Sequence, residues 1–107
     1  MPFVSTGDHP TVAMLSGIER TVVASGEGAM IVRFELDKGA VLPAHSHPHE
    51  QMGFILAGIL DLTIGAETRS LRAGEAYIAP PNTVHSAVAT ERSIVIDVFA
   101  PPRADYL

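Results

Sequence analysis

Apolar and polar side chains alternate with a period of two along most of this chain, and a helical repeat is almost absent. That rhythm restricts the fold to short strands, each with one face to bury. Val32, Phe34 and Leu36 alternate with Arg33, Glu35 and Asp37; Leu60, Leu62 and Ile64 alternate with Asp61 and Thr63; Ile94, Ile96 and Val98 alternate with Val95, Asp97 and Phe99. Turn signals separate these runs at Asp37-Lys38-Gly39, Ala57-Gly58, Gly65-Ala66-Glu67-Thr68, Arg72-Ala73-Gly74-Glu75 and Pro80-Pro81-Asn82. Such spacing suits an all-β sandwich or barrel. Gly17 to Glu19 and Ser25 to Gly28 break up the N-terminal third, where the pattern places strands only loosely.

A length of 107 residues corresponds to a single domain. With 47% hydrophobic and 18% charged residues the chain supports a sizeable core and is too apolar for a disordered one. Seven Lys and Arg against twelve Asp and Glu give a net charge of -5, with the basic residues scattered, so no footprint for nucleic acid or an anionic membrane is expected. The absence of cysteine excludes disulfides, thiolate chemistry and iron–sulfur clusters. The longest apolar run, Met52 to Leu60, contains two glycines and falls short of the ~20 residues of a membrane span. The opening residues carry no basic stretch followed by an apolar one, and a cytoplasmic protein is expected.

Three of the five histidines, His45, His47 and His49, lie within five residues of one another. On a strand, side chains two apart share a face at about 6.5–7 Å, so His45 and His47 can converge on one cation. The same pair also reads as an exposed couple beside a loop. His49 would lie about 13 Å from His45 on a continuous strand, too far for joint ligation, and reads as a bystander or a substrate contact. His9 falls in the poorly patterned N-terminal segment and is expected at the surface.

Around the pair stands Gly39-x5-His45-x-His47-x3-Gln51-x6-Gly58, followed by Gly74-x5-Pro80-x-Asn82-x2-His85. These blocks resemble the two motifs of the cupin superfamily, G-x5-H-x-H-x3,4-E-x6-G and G-x5-P-x-G-x2-H-x3-N. The resemblance implies one domain over residues 1–107, a double-stranded β-helix or jelly-roll barrel with its core at about 28–100 and an extended tail at 100–107. It also implies a divalent metal held by His45, His47, Gln51 and His85. Without the barrel, His85 reads equally as a core-edge histidine bonded to a backbone carbonyl. Two positions depart from the pattern: Gln51 stands for the usual glutamate and Ala89 for the usual asparagine. Glu50 is a better ligand type than an amide, but strand parity puts Gln51, not Glu50, on the face of the histidines. Three imidazoles and a neutral amide leave the ion's charge uncancelled, which favours hydrolytic or isomerising chemistry over oxygen chemistry. Nickel, zinc, iron, manganese and cobalt all suit such ligands.

The stretch His45-Ser46-His47-Pro48-His49-Glu50-Gln51 and the ending Asp97-Val98-Phe99-Ala100-Pro101-Pro102-Arg103-Ala104-Asp105-Tyr106-Leu107 are similar to the small pectin-degradation cupins of the KdgF type. That resemblance implies conversion of 4,5-unsaturated uronate monosaccharides to linear keto-uronates, with roles for Asp97, Phe99 and Arg103, an anionic sugar as ligand, and a homodimer. Residue chemistry bears on each position. Asp97 interrupts an apolar strand on the face of Val95 and Phe99, where a carboxyl is costly unless it serves or is paired, so it is a general acid/base candidate; the alternative is a strand-end Asp bonded to a loop amide. Arg103 has the fork that grips a carboxylate, and also reads as a surface arginine. Phe99 stacks on the sugar or fills the core. An iron(II) dioxygenase and a non-catalytic sugar-binding module are the competing readings.

Overall fold

The computed structural model describes residues 2–107; Met1, the first residue of the expected unit 1–107, lies outside the described residues. Ten strands follow in order: β1 (Thr11–Leu15), β2 (Ile18–Ser25), β3 (Met30–Leu36), β4 (Val41–His45), β5 (Glu50–Ala57), β6 (Ile59–Ile64), β7 (Glu67–Arg72), β8 (Ala76–Ala79), β9 (His85–Ala89) and β10 (Ser93–Ala100). They form a six-stranded sheet in the order β1-β2-β3-β10-β5-β8 and a four-stranded sheet in the order β4-β9-β6-β7, every pair antiparallel. The chain is all-β, two antiparallel sheets around one core. Among the described residues no helix is long and apolar enough to cross a membrane.

Each strand buries the face that its alternation marks. Met30, Val32, Phe34 and Leu36 of β3, Ile55 of β5, Leu60 and Leu62 of β6, and Val95 and Phe99 of β10 join one core. On β10 the inward set is Ser93, Val95, Asp97 and Phe99, while Ile94, Ile96 and Val98 are only half-buried. The core begins ahead of residue 28, because Ile18 and Val22 of β2 belong to it. A two-residue turn at Ser16-Gly17 joins β1 to β2, so Ile18 and Glu19 lie in a strand rather than in the break that the sequence suggested. The tail is not simply extended: Ala104–Tyr106 form a 3-10 turn that packs the Tyr106 ring on Phe34 and Phe99.

Register sets what stands beside what across the larger sheet. Val32, Asp97, Gly53 and Tyr77 form one cross-strand row, and Met30, Phe99, Gln51 and Ala79 form the next inward-facing one. On the smaller sheet His45, His85 and Ile64 form a row. The outward face of the larger sheet carries Ile31, Val98, Met52 and Ile78 in register, with Phe54 and Leu56 exposed beside them.

Truncating Ile55, which is fully buried, to Ala should lower unfolding free energy by about 2–5 kcal/mol in a urea titration, whereas truncating its exposed neighbour Leu56 should change it by no more than about 0.5 kcal/mol.

Candidate metal centre

The histidines reach one place from different elements. His45 closes β4 opposite His85, which opens β9. His47 does not share a continuous strand with His45, as the two-residue spacing had suggested: the ladder breaks at 46–49, where Pro48 has no N–H to offer. A backbone latch holds the turn instead, with Asn82 N–H donating to His47 O at 2.8 Å. Asn82 adopts φ 62, the left-handed conformation that its place after Pro80-Pro81 demands. Thus the loop ahead of His85 fixes the loop that carries His47.

Imidazole nitrogens of His45, His47 and His85 lie within 4.8 Å of one another, and the ring centroids are separated by 4.3 Å (45–85), 5.0 Å (47–85) and 5.7 Å (45–47). Each Nδ1 meets a nearby backbone carbonyl: Pro43 O at 2.8 Å for His45, His49 O at 3.0 Å for His47 and Thr83 O at 2.9 Å for His85. A carbonyl only accepts, so every Nδ1 carries the hydrogen and every Nε2 of a neutral ring is left as a bare lone pair. Burial, the larger cause, holds His47 and His85 below the usual imidazole value, helped by the charge of Arg103 at His47 and by the neighbouring histidines at His85, and so favours the neutral form that ligates. The Nε2 of His85 is buried with no hydrogen-bond partner, and the Nε2 of His47 faces Gln51 Oε1 at 2.9 Å, an acceptor facing an acceptor. An orphaned lone pair and a juxtaposed pair of acceptors fit a cation. The three histidines therefore form a group that can hold a metal ion.

Gln51 is the fourth polar group at this point. It is 4% exposed while Glu50 faces outward, so the strand resumes after the turn with the parity expected. Its Nε2 donates to Asp97 Oδ2 at 2.9 Å and to Tyr77 Oη at 2.8 Å, and Tyr77 Oη donates to Asp97 Oδ1 at 2.8 Å. Asp97 is 4% exposed; burial pushes its carboxyl up to about 7 against the pull of the Tyr77 and Gln51 hydrogen bonds. Burial and the nearby Asp97 push the Tyr77 hydroxyl well above its ordinary value, so it keeps its proton and donates. Gly53 makes this possible, since a Cβ there would overlap both the Tyr77 ring and the Asp97 carboxylate.

Arg103 is not a free surface arginine. Its guanidinium lies 4.2 Å from the Tyr106 ring centroid and 5.4 Å from that of Phe99, donates to Tyr106 Oη at 3.0 Å, and grips Asp105 through Nε and Nη2 at 3.3 and 2.9 Å. Phe99 fills the core: it is 1% exposed, with its ring against Phe34, Tyr106 and His47. His49 stands outside the group of three, its ring 5.3 Å from that of His47. His9, expected at the surface, is half-buried beside Tyr106 and Arg20. Sequence reasoning missed Tyr77 and Asp105; a polar aromatic inside the short apolar run Ala76 to Ala79 was the one available signal for the former.

Residues 32–99 match the cupin domain family, and the chain belongs to it. It is 38% identical over 102 residues to the pectin degradation protein KdgF of Dickeya dadantii, covering 94% of this chain and 93% of that protein. Among solved structures it is similar to KdgF from Halomonas sp., with 38% identity, a TM-score of 0.93, and coverage of 100% of this chain and 99% of that one. An RmlC-like cupin from Shewanella frigidimarina shares 27% identity at a TM-score of 0.94, covering 100% and 96% of the two chains.

Replacing His85 with Ala should weaken binding of zinc or cobalt, measured by calorimetry, by at least the ~10–100-fold that follows loss of an outer-shell partner, and replacing His49 should leave affinity near that of the unaltered protein.

Proposed function

We propose that this cupin converts 4,5-unsaturated uronate monosaccharides to linear keto-uronates around one divalent ion held by Nε2 of His45, His47 and His85 and by Oε1 of Gln51. The observation that carries the reading is the convergence of three bare imidazole nitrogens beside a buried carboxyl, in a chain akin to a pectin degradation protein along nearly its whole length. When bound, the ion supplies Lewis acidity that neutral ligands leave undiminished.

The chain's own residues divide the remaining work. Asp97, with a carboxyl at about 7, suits proton exchange near neutrality. In the reaction a proton is delivered to C4 of the ring alkene, water adds at C5 and returns a proton, and the resulting hemiketal opens to the keto form. Arg103, clamped against Tyr106 and Phe99, presents a planar fork; the substrate carboxylate takes the place that Asp105 now holds on it. His49, beside His47, is within reach of a ligand at the same site. Gln51 in place of a glutamate supports this chemistry over that of an iron(II) dioxygenase, because a neutral amide gives poorer support to a higher oxidation state. The second copy of the chain expected from the resemblance would have an apolar row to bury, Ile31, Val98, Met52 and Ile78, and light scattering should give twice the mass of one chain; the mass of one chain would contradict that pairing.

Metal-loaded protein added to lyase-generated unsaturated uronate should speed loss of the alkene absorbance, and a chelator should abolish the effect. Sugar binding without alkene loss would overturn the enzymatic reading and leave a sugar-binding module. Asp97→Asn keeps one acceptor oxygen for Gln51, so metal affinity should stay within about tenfold of the original while turnover falls about 10²–10⁴-fold.

A further inference from the structure

We propose that the Tyr77 hydroxyl decides which end of the Gln51 carboxamide faces the three histidines, which makes Tyr77 a positioning residue for the metal centre; the inference rests on the metal-site reading above. The two ends of a carboxamide are nearly equal in shape and opposite in chemistry. The oxygen offers lone pairs to a cation, whereas the NH2 group offers only hydrogens. Gln51 thus contributes a ligand only when Oε1 points towards the histidines.

The hydrogen bonds around it select that orientation. Both N–H groups of Gln51 are buried and need acceptors, and they find two: Asp97 Oδ2 at 2.9 Å and Tyr77 Oη at 2.8 Å. Tyr77 Oη is free to accept because its own hydrogen goes to Asp97 Oδ1 at 2.8 Å. Three side chains therefore close a ring in which every hydrogen has an acceptor. Flipping the amide would set Oε1 against the Asp97 carboxylate, acceptor on acceptor, and against a Tyr77 hydroxyl that could donate to it only by giving up its bond to Asp97; it would turn the N–H groups, which cannot ligate, towards His47. Asp97 alone leaves one Gln51 N–H without a partner, so it cannot satisfy the amide in the productive orientation. Tyr77, on the neighbouring strand β8, supplies the missing acceptor. It reaches Asp97 across β5 because Gly53, in register between them, has no side chain to block the path. None of these contacts requires Tyr77 to touch the ion.

Cobalt(II) titration followed by its visible absorption tests the proposal, using the protein as isolated, Tyr77→Phe, Gln51→Ala and the double variant. Tyr77→Phe, shown folded by its thermal melt, should bind cobalt about tenfold more weakly, with a spectrum shifted towards that of Gln51→Ala. In the Gln51→Ala background the same change should cost less than about twofold, since the two act as a unit. Ile18→Val, which loosens the core at the Leu36–Ser93 end of the larger sheet, should leave the spectrum unchanged. Unaltered affinity and spectrum in Tyr77→Phe, or an equal loss in the Gln51→Ala background, would overturn the proposal. A measurement on the unaltered protein decides the matter if Tyr77→Phe does not fold: both Gln51 side-chain amide protons should be protected from solvent exchange, and rapid exchange of either would overturn it. Absence of cobalt binding by the unaltered protein would remove the metal-centre reading together with this one, whereas binding that Tyr77→Phe leaves intact would remove this one alone.

Discussion

Bare nitrogen lone pairs turned towards one another inside a protein repel, and in this chain three of them converge. The arrangement is held because each imidazole is fixed from behind, its Nδ1–H committed to the carbonyl of a residue two positions away in the chain. The choice of carbonyl fixes the tautomer, the tautomer fixes which nitrogen is bare, and the backbone fixes where that nitrogen points. A cation relieves the repulsion; a proton shared between His47 and Gln51 relieves only part of it, since His85 Nε2 has no partner of its own.

The barrel assembles this group from both sheets. His45 and His85 come from the four-stranded sheet, Gln51, Asp97 and Tyr77 from the six-stranded one, and His47 from the turn between them. No local stretch of the chain contains the site, so its geometry depends on the register of each sheet and on the core that presses the sheets together. The latch from Asn82 to His47 adds a direct tie between the loops that carry the two motifs. Burial does further work at the same spot. It keeps His47 and His85 neutral, and it lifts Asp97 to where its carboxyl can both hold and release a proton near neutral pH.

Legibility in the sequence tracked how local each feature is. Alternation along Val32 to Leu36 and Val95 to Phe99 is a property of single strands, and the buried faces follow it. The spaced glycines, histidines and proline carried the family, and with it the convergence of His85 on His45 across 40 positions of sequence. Parity put Gln51 inward and Glu50 outward, as their burial shows, although the chain reaches Gln51 through a turn and not along one strand. Tyr77 stood out only as a polar aromatic in an apolar run; its partners could not be read, because the β5–β8 and β5–β10 registers that choose them are set by long-range pairing. Arg103 could not be told from a surface arginine, because the 3-10 turn that folds Asp105 and Tyr106 back onto it leaves no mark in so short a tail.

X-ray absorption and elemental analysis of protein purified without an affinity tag test the central claim most directly. One divalent ion per chain is expected, with three imidazole nitrogens and at least one oxygen in its inner shell. Protein that carries no ion and takes none up from excess zinc, nickel or cobalt, or an ion whose shell lacks the imidazoles, would contradict it.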